Sequence, residues 1–271
     1  MTTKRKQILL TNDDGIQSPG LWAAAEALSD LGFVTIVAPR EQASASGRSL
    51  PISSDGKISK ERLRIGKQEW ETYSIGGTPA QAILHSLLEI TPNKPDLVVS
   101  GINYGENVGH SITISGTVMA ALEAASMGIK ALAVSLQMHE ENHRSYSTDI
   151  DFSTSAFFTH KFAEIIIKED LPEDVDALKI DVPQNATRHT EWRMTRLARH
   201  RYYIPVLERD GDWSTRGHVF YKLDPQPKDL PQDTDLYTLI YEQKVSVTPI
   251  SLDMTSRTDI PDLEDQFRQH E

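Results

Sequence analysis

The adjacent acids Asp13 and Asp14, followed by Gly15, are the residues whose types and spacing first suggest chemistry. They come directly after Ile8, Leu9 and Leu10, an apolar run that reads as a buried parallel strand. Both carboxylates therefore fall at a strand's carboxyl end. In open α/β sheets that edge is where ligands bind, at the crevice where strand order reverses. Neighbouring carboxylates repel, and one must hold its proton unless a cation lies between them or strong donors surround them. A hard divalent ion such as Mg²⁺ or Mn²⁺ resolves the conflict, because it prefers carboxylate, carbonyl and water oxygens. The alternative is a solvated Asp-Gly turn in which the acids serve turn geometry alone.

Two further stretches put polar groups at the same kind of position. Residues 39–50 are rich in Ser, Ala and Gly and present Ser44, Ser46 and Ser49, as either plain surface or a ligand loop. After the apolar residues 96–100 come Gly101, Asn103, Gly105, Asn107 and Gly109. Glycines at this spacing let backbone approach a ligand, and the asparagines supply oxygens and amides. Ser115, Gly116 and Thr117 then precede a helix at 118–127, where hydroxyls and unpaired amides either bind an anion or cap the helix. Together the loops predict a metal-and-phosphate site. With no cysteine, and with His110 the only histidine on these loops, the expected nucleophile is a metal-bound water.

The elements that must position these groups follow from periodicity. A helix at 21–31 and a strand at 33–38 complete a β-α-β opening, and residues 52–75 read as a short β excursion. Thr78 and Pro79 open a helix reaching about residue 88, whose first amides could also face an anion. Strands follow at 131–136 and 178–182, with an amphipathic helix at 150–168 between them. His139, Glu140 and His143 match the spacing of a zinc-peptidase motif, but they follow a strand in a wholly polar stretch and read as a solvated loop. Beyond residue 186 come β segments near 193–197, 202–207, 219–223 and 245–250, then an acidic helix or tail from Asp259. The expectation is an α/β, Rossmann-like, mostly parallel sheet flanked by helices. Residues 1–185 form its catalytic core, and 186–271 a β-rich extension that serves assembly or covers the cleft.

Bulk properties narrow the function. The chain has 271 residues, no cysteine and a formal charge of -11. Thiolate catalysis and Cys-ligated metals are excluded, and polymeric nucleic acid is a poor partner, since its binding rests on Lys and Arg. A small anionic substrate stays open if a metal and backbone donors supply local positive charge. No run approaches the roughly 20 apolar residues of a membrane span, and the short basic opening lacks a signal peptide's apolar region, so cytoplasm is the expected location. Dinucleotide, nucleoside-triphosphate and serine-hydrolase glycine motifs are all missing.

Several motifs in order carry a resemblance. Thr11, Asn12, Asp13, Asp14 and Gly15 are followed by Pro19 and Gly20, then by Val37, Ala38 and Pro39, and by Gly77, Thr78 and Pro79. Further on stand Ser100, Gly101, Ile102, Asn103 and Asn107, then Ser115, Gly116 and Thr117, and Val245, Ser246, Val247, Thr248 and Pro249. From residue 7 to about 256 the chain resembles the SurE family of survival-protein nucleotidases. The resemblance implies a phosphatase that uses one divalent ion, Mg²⁺ or Mn²⁺, per subunit on nucleoside 5′- or 3′-monophosphates. It also implies a homodimer or tetramer built by exchanging the C-terminal part. By it, Asp13, Asp14, Ser44 and Asn103 match metal ligands, with Asp13 and Asp14 as the catalytic pair. Asn107, Ser115, Gly116 and Thr117 match phosphate-side residues. The chain departs from the family pattern at Ala80, Gln81 and Ala82, at Ile114, at Asp181 where Asn is usual, and at Gln243 and Lys244. A rival of another class is a non-enzymatic, receiver-like phosphate sensor. It needs a further acceptor Asp where this chain has Ser100 and Gly101.

Overall fold

Alternation within each strand decides how this chain layers. The computed structural model describes residues 5–65, 68–143, 145, 147–209, 211–224 and 226–270, so only Arg5 and Lys6 of the basic N-terminal stretch lie among them. In chain order the first half holds β1 (Lys6–Thr11), α1 (Pro19–Leu28), β2 (Gly32–Pro39), β3 (Ile58–Ile65), β4 (Gln68–Ile75), α2 (Pro79–His85), β5 (Leu97–Tyr104) and α3 (Gly116–Ser126). The second half holds β6 (Ala131–Leu136), α4 (Ser153–Lys168), β7 (Ala177–Val182), β8 (Trp192–Met194), β9 (Tyr203–Glu208), β10 (His218–Leu223), α5 (Asp235–Tyr237), β11 (Val245–Ile250) and α6 (Ile260–Arg268).

Nine strands form one sheet in the order β3-β4-β2-β1-β5-β6-β7-β11-β8. The strands from β4 to β7 run parallel, while β3 and β11 pair antiparallel with β4 and β7. In β1, Ile8 and Leu10 point into a cluster with Leu21, Trp22, Phe158 and Phe162 of α1 and α4. Leu9 points the other way, into a cluster with Ile83, Val118, Met119 and Leu122 of α2 and α3. Both faces of the sheet are thus covered, and that is why its central strands are mostly apolar. The expected mostly parallel, helix-flanked α/β sheet is what the chain forms.

Three local readings change. The 52–75 stretch is not a separate excursion: its β4 pairs in register with β2 from Ile36↔Thr72 to Pro39↔Ile75, which satisfies the backbone of an edge otherwise left open. The first amides of α2 are not offered to an anion. Gln81 N donates to Thr78 Oγ1 at 3.2 Å and Thr78 N donates to Gln81 Oε1 at 3.0 Å, so the helix start is closed by its own side chains. In the C-terminal part, β11 and β8 extend the main sheet beyond β7, and only β9 and β10 form a separate two-stranded ribbon.

The neighbours of β1 are β2 on one side and β5 on the other, so strand order reverses there. The exits of β1 and β5 consequently meet at one crevice. Helix α1 is pressed onto that crevice from one face: a Cβ on Gly20 would stand 2.2 Å from Ile102 O. Gly20→Ala is expected to cost about 1–3 kcal/mol through overpacking, read as a lowered melting temperature. An unchanged melting temperature would contradict so close an approach.

Candidate active site

The turn after β1 is locked before any ligand arrives. Gly15 N donates to Asn12 Oδ1 at 3.1 Å, and Asn12 Nδ2 donates back to Gly15 O at 3.0 Å. Gly15 holds φ +95, a backbone conformation that side chains rarely adopt. The acids between them are only 4% and 2% exposed at Asp13 and Asp14, so the solvated-turn alternative fails.

Each carboxylate has a separate set of donors. Thr117 Oγ1 donates to Asp13 Oδ1 at 2.5 Å. Tyr104 N donates to Asp14 Oδ2 at 3.1 Å and Gln42 Nε2 to Asp14 Oδ1 at 3.0 Å. Burial raises the pKa of Asp13, against the hydroxyl of Thr117 and the amides of Thr117 and Gly116. Burial, and then the charge of Asp13, push Asp14 well above the carboxylate range. No cation figures among the groups acting on either acid. The site is one that a positive charge would relieve.

Ser44 and Asn103 share the cleft with Asp13. The pairing of β5 with β6 shifts register between Ser100 and Asn103, a bulge that turns the strand end toward the crevice. Asn103 Nδ2 donates to Gly105 O at 2.6 Å, so its side-chain oxygen is the group left to offer. The loop bearing Ser44 is fastened by Ala43 N to Asp13 O at 2.7 Å, by Gly47 N to Ile114 O at 3.0 Å, and by an ion pair from Arg48 to Glu123 of α3. Among the described residues no group of three or more His, Asp or Glu is gathered for a metal. An ion here would take two carboxylates and complete its shell with Asn103, Ser44 and water. That all-oxygen set suits Mg²⁺ or Mn²⁺ and not zinc.

Of the residues expected to face phosphate, Asn107 and Ser115 line the same cleft. Ser115 also caps α3, its Oγ accepting from Val118 N at 3.1 Å, so a capping residue lines the cleft. Gly116 is packed against the acid, since a Cβ there would stand 2.6 Å from Asp13 Cβ. Thr117 departs from the expectation that it faces phosphate. It is fully buried with its hydroxyl committed to Asp13, because the start of α3 is aimed at that carboxylate.

Sequence reasoning missed the opposite wall. His143 was expected in a solvated loop, yet it is buried and lines the cleft. Its Nδ1 lies 3.0 Å from Tyr221 Oη and its Nε2 3.3 Å from Met138 O. Tyr203, Phe220 and Tyr221 of the β9–β10 ribbon complete an aromatic face on a cleft of about 320 Å³. Glu106 stands behind it, 1% exposed, accepting from Tyr202 Oη at 2.7 Å. Burial pushes its carboxyl up to about 7. The available signals were Glu106 lying inside the Asn103–Asn107 loop and the paired aromatics in the two ribbon strands.

A family model described as survival protein SurE matches residues 8–204. The 5′-nucleotidase SurE of Thermococcus gammatolerans is 43% identical over 258 residues, covering 95% of this chain and 94% of that protein. Its counterpart from Thermococcus kodakarensis is 42% identical, covering 95% and 96%. The crystal structure of the Sure protein from Aquifex aeolicus superposes with a TM-score of 0.73 at 30% identity, covering 96% of this chain and 99% of that one.

The acid pair generates a prediction about stability. Folded-state pKa values raised above the unfolded value mean that ionisation of Asp13 and Asp14 costs stability. That cost is absent below the unfolded pKa and grows as pH rises toward the folded one. At about pH 7 with EDTA, Asp14→Asn should therefore melt at or above the wild-type temperature. Millimolar Mn²⁺ should stabilise the wild type, by about 2.7 kcal/mol at a hundredfold excess over Kd, seen as a raised melting temperature, and leave Asp14→Asn unmoved. Scanning calorimetry that found no Mn²⁺ effect on the wild type would oppose this.

Proposed function

The chain belongs to the SurE family of survival proteins, and we propose that it is a divalent-metal-dependent phosphatase of nucleoside 5′-monophosphates. Nucleoside 3′-monophosphates are taken through the same cleft, and the products are nucleoside and phosphate. The observation that carries this reading is the buried Asp13–Asp14 pair, whose donors among the described residues are neutral, with Asp13 lining the same cleft as Ser44 and Asn103. The relatives bearing the name 5′-nucleotidase supply the substrate class.

Asp13, Asp14, Ser44 and Asn103 would hold Mg²⁺ or Mn²⁺, which when bound would supply a water of lowered pKa and positive charge for an anionic substrate. The protein's own groups do the rest. Thr117 and the start of α3 fix Asp13, while Tyr104 N and the Gln42 amide fix Asp14, so neither acid reorganises during the reaction. Asn107 and Ser115 hold the phosphate, and the positive end of α3 stabilises charge that grows on its outer oxygens. Tyr203, Phe220 and Tyr221 give the nucleoside an apolar face, and His143 is oriented by Tyr221.

Assembly belongs to the same reading. Helix α6 leaves Ile260, Leu263 and Phe267 exposed at helical spacing, and the ribbon exposes Ile204, Leu207 and Val219. These faces suit exchange of the C-terminal part between subunits of a dimer or tetramer. Among the described residues no helix is long and apolar enough to cross a membrane. A cytoplasmic pool of nucleoside monophosphates is the setting this function implies.

Phosphate release from nucleoside 5′-monophosphates should need Mg²⁺ or Mn²⁺ and fall roughly a thousandfold in EDTA or in Asp14→Ala, about 4 kcal/mol of transition-state stabilisation. Equal turnover under either condition would overturn the mechanism. In sedimentation, deletion of residues 259–271 should lower the oligomeric state, whereas an unchanged profile would remove α6 from assembly.

A further inference from the structure

Beneath the loop that carries Asn103 and Asn107 lies a buried ion cluster that the reaction as described does not use. Lys179 of β7, Asp181 of β7 and Asp235 of α5 are each 0% exposed. The Lys179 ammonium donates to Asp181 Oδ2 and stands 3.2 Å from Asp235 Oδ2. Asp181 Oδ1 accepts from Asn107 N at 2.7 Å, and Asp235 Oδ2 accepts from Gly109 N at 3.0 Å. Asp235 Oδ1 further accepts from Ala198 N and Leu236 N, both at 2.8 Å. The amides on either side of Val108 therefore hang on two carboxylates, and one ammonium holds those carboxylates together.

Burying three ions is costly, and a well-packed apolar substitute is often as stable, so their retention calls for a role beyond stability. The hydrogen bonds reach one place of chemical interest, the backbone of Asn107, whose side chain lines the cleft. Asn107 Nδ2 in turn donates to Ser135 Oγ at 2.8 Å, which fixes the side chain once the backbone is placed. We propose that Lys179 is a positioning residue for phosphate binding: by clamping Asp181 and Asp235 it sets the backbone of residues 107–109, and through it the Asn107 side chain. This rests on the reading that Asn107 meets phosphate. Burial acts to lower the Lys179 pKa, but the charges of Asp181 and Asp235 outweigh it and keep the group an ammonium.

The test uses inorganic phosphate as a competitive inhibitor of full-length, metal-loaded protein, well below the melting temperature of each variant. Circular dichroism verifies that each is folded. Lys179→Met should weaken the Ki for phosphate roughly tenfold or more, and Asn107→Ala should do likewise. Combined, the two should weaken it little beyond Asn107→Ala alone, since groups acting through one another are not additive. A cluster serving stability alone would lower the melting temperature and leave the Ki of folded protein where it was. If Asn107→Ala leaves Ki unchanged, the phosphate role of Asn107 falls, and the inference with it. If Asn107→Ala weakens Ki but folded Lys179→Met matches wild type, or the two effects multiply in full, the inference alone is overturned. Should Lys179→Met not fold, Asp181→Asn, which leaves Lys179 balanced by Asp235, takes its place in the same cycle with the same deciding outcomes.

Discussion

Repulsion between two buried carboxylates that no cation among the described residues neutralises is the constraint around which this structure is arranged. Asp13 and Asp14 are placed by a turn that Asn12 and Gly15 lock on themselves, at the one point of the sheet where strand order reverses. The donors that reach them come from three directions: the loop after β2 at Gln42, the end of β5 at Tyr104, and Thr117 and Gly116 at the start of α3. None of these donors carries charge, so each orients an acid without cancelling it. The fold bears that cost because both faces of the sheet bury apolar side chains from all its central strands.

The chain treats its other buried acids differently. Asp181 and Asp235 share Lys179, and their remaining oxygens take backbone amides, so that cluster is satisfied from within. Glu106 is served by Tyr202 Oη, with burial holding its carboxyl near neutrality. The contrast is one of partners: the Lys179 cluster pairs its acids with an ammonium and holds loops in place, whereas the groups donating to Asp13 and Asp14 are neutral.

How much of this could be read from sequence depended on how far apart the cooperating residues lie. The acids, the asparagine loop and the Ser115 helix start were legible because each sits directly after a strand or before a helix, where local pattern is decisive. The mostly parallel sheet followed from the same runs. Thr117 was read as facing phosphate because nothing local shows that its hydroxyl reaches Asp13, 104 residues away. His143 looked solvated amid polar neighbours, and only the return of the ribbon, bringing Tyr221 from 78 residues on, buries it. The α2 start was misjudged because Gln81 can close a capping box there, and the choice between that closure and an anion lies in side-chain rotamers. Asp181 departs visibly from the family pattern, but that Lys179 also pairs with Asp235 of α5 is invisible without the fold.

We propose that Asp13 and Asp14 hold one divalent cation between them. Crystals soaked in Mn²⁺, with diffraction collected near the manganese absorption edge, test it directly. A single strong anomalous peak per subunit is expected within about 2.0–2.4 Å of oxygens of both carboxylates and near Asn103. A peak elsewhere, or none at full Mn²⁺ saturation, would contradict it.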